Sequence, residues 1–123
     1  ETGRSMQIQS YKDLIVWQKA MVFAEMVYVL SKFFPKEEIY GLTSQIRRAA
    51  VSVPSNIAEG HARHSTAEFR NFISISQGSL AEVETQILLA IRLAYLTQEQ
   101  AKPALDLREE ISKMLFTLRQ RLS

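Results

Sequence analysis

Ser65-Thr66-Ala67-Glu68-Phe69-Arg70-Asn71-Phe72-Ile73-Ser74-Ile75-Ser76 opens with the strongest local signal in the chain. Ser65-Thr66-Ala67-Glu68 has the form of a capping box, in which the Ser oxygen takes one orphan amide and the Glu reaches back to another. Phe69, Phe72, Ile73, Ser76, Leu80, Val83, Ile87, Ala90 and Ala94 then follow at helical spacing. A capped start and one sustained apolar stripe predict a long helix with one buried face. Small residues at Ser74, Ser76, Gly78, Ser79 and Ala81 predict the close approach of another helix. Gly78 is read as the contact point, because glycine in mid-helix costs about 1 kcal/mol relative to alanine.

Three more helices follow outward from this one. Thr97-Gln98-Glu99-Gln100 is a second capping-box pattern. It opens helix four, from about Gln98 to Leu122, with Ala104, Leu107, Ile111, Leu115, Leu118 and Leu122 as its stripe. Pro103 predicts a kinked or frayed start. Helix two is placed at about Leu42 to Ala62, striped by Leu42, Ile46, Ala49, Val53 and Ile57. Pro54 lies inside it and predicts a kink or break, since proline removes one hydrogen bond and crowds the carbonyl of Ala50. Gly60 reads as a weak point near the end of that helix.

Helix one is placed at Asp13 to Phe34, with Asp13 as its cap and Pro35 as its stop. It carries two apolar rows. One is Leu14, Trp17, Met21, Ala24 and Tyr28; the other is Val16, Ala20, Phe23, Val27, Leu30 and Phe34. One row buries one face, so two rows predict a helix covered on two sides. The four helices have similar lengths and short joints, which favours an all-α, up-down-up-down antiparallel four-helix bundle, its second helix kinked at Pro54. Residues 13–122 are expected to form this single domain. Residues 1–12 read as a flexible lead-in, with Glu1-Thr2-Gly3-Arg4-Ser5 before Met6 resembling a vector-derived remnant.

Composition narrows the function. The 123 residues include no Cys, so neither disulfides nor thiolate metal sites are available. The most apolar stretch, Leu14 to Phe34, is interrupted by Gln18, Lys19, Glu25 and Lys32, which argues against a membrane span. A cytoplasmic location is expected. The formal net charge is +2, a small excess of basic residues.

Three stretches resemble the four helix bundle protein family, also called the 23S rRNA intervening-sequence protein family. They are Asp13-Leu14-Ile15-Val16-Trp17-Gln18-Lys19-Ala20, Tyr40-Gly41-Leu42-Thr43-Ser44-Gln45-Ile46-Arg47-Arg48-Ala49, and Val51-Ser52-Val53-Pro54-Ser55-Asn56-Ile57-Ala58-Glu59-Gly60. Gly78-Ser79-Leu80-Ala81-Glu82-Val83-Glu84-Thr85-Gln86 on the third helix completes the pattern. The resemblance implies a closed bundle whose members often assemble as ring-shaped homopentamers. Some members are encoded inside intervening sequences of bacterial 23S rRNA genes. A related branch serves diversity-generating retroelements, where a basic pentamer binds nucleic acid and a reverse transcriptase. With its net charge of +2, this chain departs from that basic branch.

Candidate sites are few. Arg47, Arg48, Arg63 and Arg70 surround helix two and its turn into helix three. They read either as a phosphate-binding patch repeated around a ring or as a solvated face of ion pairs. Asn56 and Glu59 are expected to form a buried polar clamp that satisfies groups freed near Pro54. His61 and His64 lack the further ligands of a metal site. Trp17 and Tyr28 are read as core or interface. No catalytic residue, cofactor or metal ligand is assigned. The reading from sequence is a non-catalytic, self-assembling bundle that acts as a scaffold or binding module, with RNA or DNA as a candidate partner. The rival is a protein-partner adaptor, such as a reverse-transcriptase accessory subunit.

Overall fold

The computed structural model describes residues 10–122. The remnant-like start Glu1–Ser5, and the lead-in as far as residue 9, lie outside the described residues. Four α-helices make up the chain: α1 (Ile15–Ser31), α2 (Leu42–His61), α3 (Thr66–Arg92) and α4 (Gln98–Arg121). Two short 3-10 turns, Tyr11–Asp13 and Lys36–Glu38, precede α1 and α2. Among the described residues there is no strand.

Each helix packs on the next along the chain, and α4 packs back on α1, while the diagonal pairs do not meet. The neighbours run in opposite senses. On the α1–α2 seam Arg47 meets Ser31, while Ala58 lies with Trp17. Along α2–α3, Gly60 lies against Phe69 and Phe72, while Ser52 bonds Ser79. Between α3 and α4, Arg119 reaches Ser74 and Arg108 reaches Glu84. The fourth seam is closed by Lys19 and Glu110 at 2.7 Å. The result is an all-α four-helix bundle.

The stripes meet inside this ring. Phe23, Ile46, Ile57, Ile73, Leu80, Ile87, Ile111 and Leu115 are fully buried. Burying each side chain of this size contributes about 1.5–3 kcal/mol. Helix α2 runs through Pro54, and α4 through Pro103, without a break.

Several helix ends differ from the sequence expectation. Asp13 does not cap α1. Its carboxylate accepts from the amide of Ser10, and the Ser10 hydroxyl in turn accepts from Lys12. Residues 10–12 therefore belong to a capped turn, against which α1 begins at Ile15. Thr97 and Gln100 form the full reciprocal box, at 3.0 and 2.9 Å. Ser65 forms only half of one: its hydroxyl accepts from the Glu68 amide and donates to the Glu68 carboxylate. Ala94, expected at the end of the third stripe, lies beyond α3 with φ 64°. It takes the left-handed position that closes a helix C-terminus, and Tyr95 N–H then bonds back to the carbonyl of Ala90 at 2.8 Å.

Within the chain, the close approach expected at Gly78 occurs at Gly60 instead. Gly78 has open space where a side chain would stand, because it lies on the solvent side of α3. Gly60 makes the close approach instead. A Cβ there would stand 2.6 Å from Cβ of Phe72 and 3.0 Å from Cδ1 of Phe69.

Candidate functional site

Helix α2 carries the residues most suited to bind something, and its start is anchored from outside the helix. Glu38 accepts from the amide of Leu42 at 3.0 Å and from the Tyr95 hydroxyl at 2.8 Å. The Leu42 amide is one of the orphan donors of the helix start. That bond, followed by the one from Tyr95, holds the Glu38 carboxyl below its usual range. The same contact raises the Tyr95 phenol, chiefly through its bond to Glu38. A side chain at Gly41 would stand 2.7 Å from Oε1 of Glu38, so the glycine leaves room for this anchor.

One turn into the helix, Arg47 is held in place. Its Nε donates to the Ser31 hydroxyl at 2.7 Å, and Ser31 donates to the carbonyl of Tyr28 at 2.8 Å. The guanidinium lies 4.9 Å from the centre of the Tyr28 ring, a cation–π distance. The Arg47 terminal nitrogens have no hydrogen-bond partner among the described residues. Arg48 is exposed and has no partner among them at all.

These two arginines line a groove of about 570 Å³ along the α1–α2 seam, with Thr43, Ser44, Ser55 and Asn56. Among the described residues no carboxylate lines it. A second groove of about 630 Å³ adjoins it, with Tyr28, Val51 and Ser55 lining both. The second groove is a mostly apolar trough between Trp17, Met21, Ala24, Pro54 and Ala58, with Glu25 at its edge. The Trp17 ring is held edge-on to Tyr11, with centroids 5.2 Å apart.

The four arginines that stand out in the sequence do not form one patch. Arg63 lies past the far end of α2, which is about 21 Å along the axis from Arg47 at 1.5 Å per residue. There it pairs with Glu59 at 3.1 Å, lies 4.0 Å from Glu68 and covers the Phe72 ring at 4.9 Å. Arg70 is half-buried beyond it on α3. The four are close along the chain, whereas the helix axis separates them into two pairs.

Glu59 is likewise not a buried clamp. It is exposed, with its carboxylate on Arg63. Spacing puts it near Asn56, but the helix turns its side chain toward solvent. Asn56 is half-buried, and its amide donates to the carbonyl and the hydroxyl of Ser52, both at 2.8 Å. The polar residues that stitch α2 to α3 are serines. Ser76 donates to the carbonyl of Val53 at 2.9 Å and Ser79 to the hydroxyl of Ser52 at 2.8 Å. Their only signal in the sequence is small size on an otherwise apolar stripe. His61 lies edge-on to the Phe69 ring, 5.7 Å between centroids. Among the described residues no cluster of potential metal ligands occurs, and no helix is long and apolar enough to cross a membrane.

No curated protein matches the chain. It is similar to a crystal structure from Bacteroides thetaiotaomicron, described as a protein of unknown function from the S23 ribosomal protein family. The two share 30% identity and a TM-score of 0.79, over 85% of this chain and 98% of the other. Residues 12–117 match the description 23S rRNA-intervening sequence protein. A match this long takes in the whole of α1 to α3 and most of α4, and the chain belongs to the 23S rRNA-intervening sequence protein family.

Proposed function

We propose that this chain is a non-catalytic, self-assembling bundle, a ring of five copies that acts in the cytoplasm as a binding module for RNA or DNA. One observation carries the assembly. Ile15, Val22, Val29 and Phe33 on and just after α1 are 56%, 48%, 56% and 55% exposed. The first three are spaced by seven, the repeat by which helices pack along a shared seam. This row differs from the two rows read from sequence, in which Leu14 and Ala24 are buried. A groove of about 320 Å³ runs beside it on the α4 side, between Val22, Met26, Val29, Pro103 and Ala104. A helix that is apolar nearly all round belongs in an interior. Covering this flank with a second copy supplies one.

The nucleic-acid part is supported by Arg48, which has no partner among the described residues, and Arg47, which is held over Tyr28. Two arginines per copy are a weak phosphate site, but a ring repeats them, so that weak contacts add. The test is mass by light scattering at micromolar concentration, with and without RNA. Five copies that bind RNA more weakly as salt rises are expected. A Val22→Glu/Val29→Glu variant should fall to monomer, and Arg47→Glu/Arg48→Glu should stay assembled and lose RNA. A wild-type monomer sinks the assembly. A ring indifferent to RNA turns the reading toward the protein adaptor, such as a reverse-transcriptase accessory subunit.

A further inference from the structure

We propose that the α1–α2 groove takes a single strand of nucleic acid, with a phosphate on Arg47 and Arg48 and an unstacked base in the trough of Trp17, Met21 and Pro54. This deepens the nucleic-acid reading above and rests on it. The two halves of the groove adjoin, with Tyr28, Val51 and Ser55 lining both. From Arg48 to Pro54 the axis advances about 9 Å, which is the reach of one nucleotide from its phosphate to its base.

The cations stand at one end only. Among the described residues the basic half has no carboxylate in its lining, and the trough has Glu25 alone. A duplex would set phosphates against Arg47 and Arg48 but leave the trough empty, because its bases are paired and stacked on one another. An unpaired base has two free π faces, and stacking on aromatic side chains tolerates any base. Met21, Tyr28 and Val51 are 41%, 40% and 41% exposed. The trough is therefore an open cleft, and the polar edges of a base lying in it stay in water. That removes the cost of burying them without partners. Serine and threonine hydroxyls at Thr43, Ser44 and Ser55 add donors beside the phosphate.

The exposed row Ile15, Val22 and Val29 lies on the other flank of α1, roughly 130° round the helix at 3.6 residues per turn. Contact through that flank does not itself cover the trough.

Trp17 is the single tryptophan of the chain, so its emission reports the trough directly. The experiment titrates the assembled protein with labelled oligouridine and, separately, with a blunt RNA duplex, reading both anisotropy and tryptophan emission. The strand is expected to bind at least about 10-fold tighter than the duplex and to quench Trp17. Trp17→Leu should weaken strand binding by about 5- to 100-fold and leave its salt dependence unchanged. Arg48→Ala should lower the salt slope by about 0.7. Tyr28→Leu serves as the second trough variant if Trp17→Leu does not assemble. Equal affinity for strand and duplex, or strand binding that leaves Trp17 emission unmoved, overturns the inference while the broader nucleic-acid reading stands. Binding of neither overturns both.

Discussion

The two seams of helix α2 are built in opposite ways. Against α3 it presents Gly60, Ser52 and the carbonyl of Val53, and α3 answers with Phe72, Ser79 and Ser76. Small residues and direct hydrogen bonds bring these two backbones together. Against α1 it presents Val51, Pro54 and Ala58, and α1 answers with Trp17, Met21 and Tyr28. The spacing of packed helices is set by the side chains at the contact. Large, part-exposed side chains line the α1–α2 edge, and the trough they form shares Tyr28, Val51 and Ser55 with the groove that Arg47 and Arg48 line. One helix thus carries a seam of small residues and hydrogen bonds on one side and a grooved seam on the other.

Gly60→Ala tests this contrast most severely. Cβ would stand 2.6 Å from Cβ of Phe72, an atom fixed close to the backbone. Overpacking there should cost about 1–3 kcal/mol, read by chemical denaturation, although alanine is the better helix former. Ser76→Ala should cost about 1 kcal/mol, since it removes the hydrogen bond to Val53. Gly78→Ala should have the opposite sign and stabilise by up to about 1 kcal/mol, because open space surrounds that position. Equal loss at Gly60 and Gly78 would mean that α3 does not present the faces described. Met21→Ala on the open seam should change stability by no more than about 0.5 kcal/mol. A large loss there would make the groove part of the core.

A weaker effect is expected at the anchor that positions the open seam. The Glu38 carboxyl is held low by the Leu42 amide and the Tyr95 hydroxyl. A carboxyl whose pKa is depressed on folding contributes stability above its unfolded value and loses it as pH falls through the folded one. The α2 start should therefore loosen on acidification below the ordinary carboxylate range. Thermal melts across that range should show a shallower acid slope in Glu38→Gln than in wild type. An unchanged slope would show that Glu38 does not hold α2.

The capping boxes and the periodic stripes make the helices legible in the sequence. Leu42, Ile46, Ala49, Val53 and Ile57 are all buried, as their spacing predicts, and Thr97 with Gln100 closes its box. Those signals act over three or four residues, so a single chain states them completely. The candidate site is only half legible. Arg47 and Arg48 stand out, but together with Arg63 and Arg70, which lie at the other end of the helix. Spacing marks Trp17 and Tyr28 as core or interface, and nothing in it shows that they share a groove with the arginines.

The all-α class, the four helices and the buried stripe of α2 thus follow from the order of the residues alone. Tertiary packing decided which glycine meets a neighbour, that Glu59 turns outward to Arg63, and that Arg47 rests on Ser31 and Tyr28. The reason is physical. Periodicity says which side of a helix is apolar, whereas the residue standing opposite comes from elsewhere in the chain, as with Ser52 and Ser79, 27 positions apart. Whether a seam closes or opens depends on both sides of that contact.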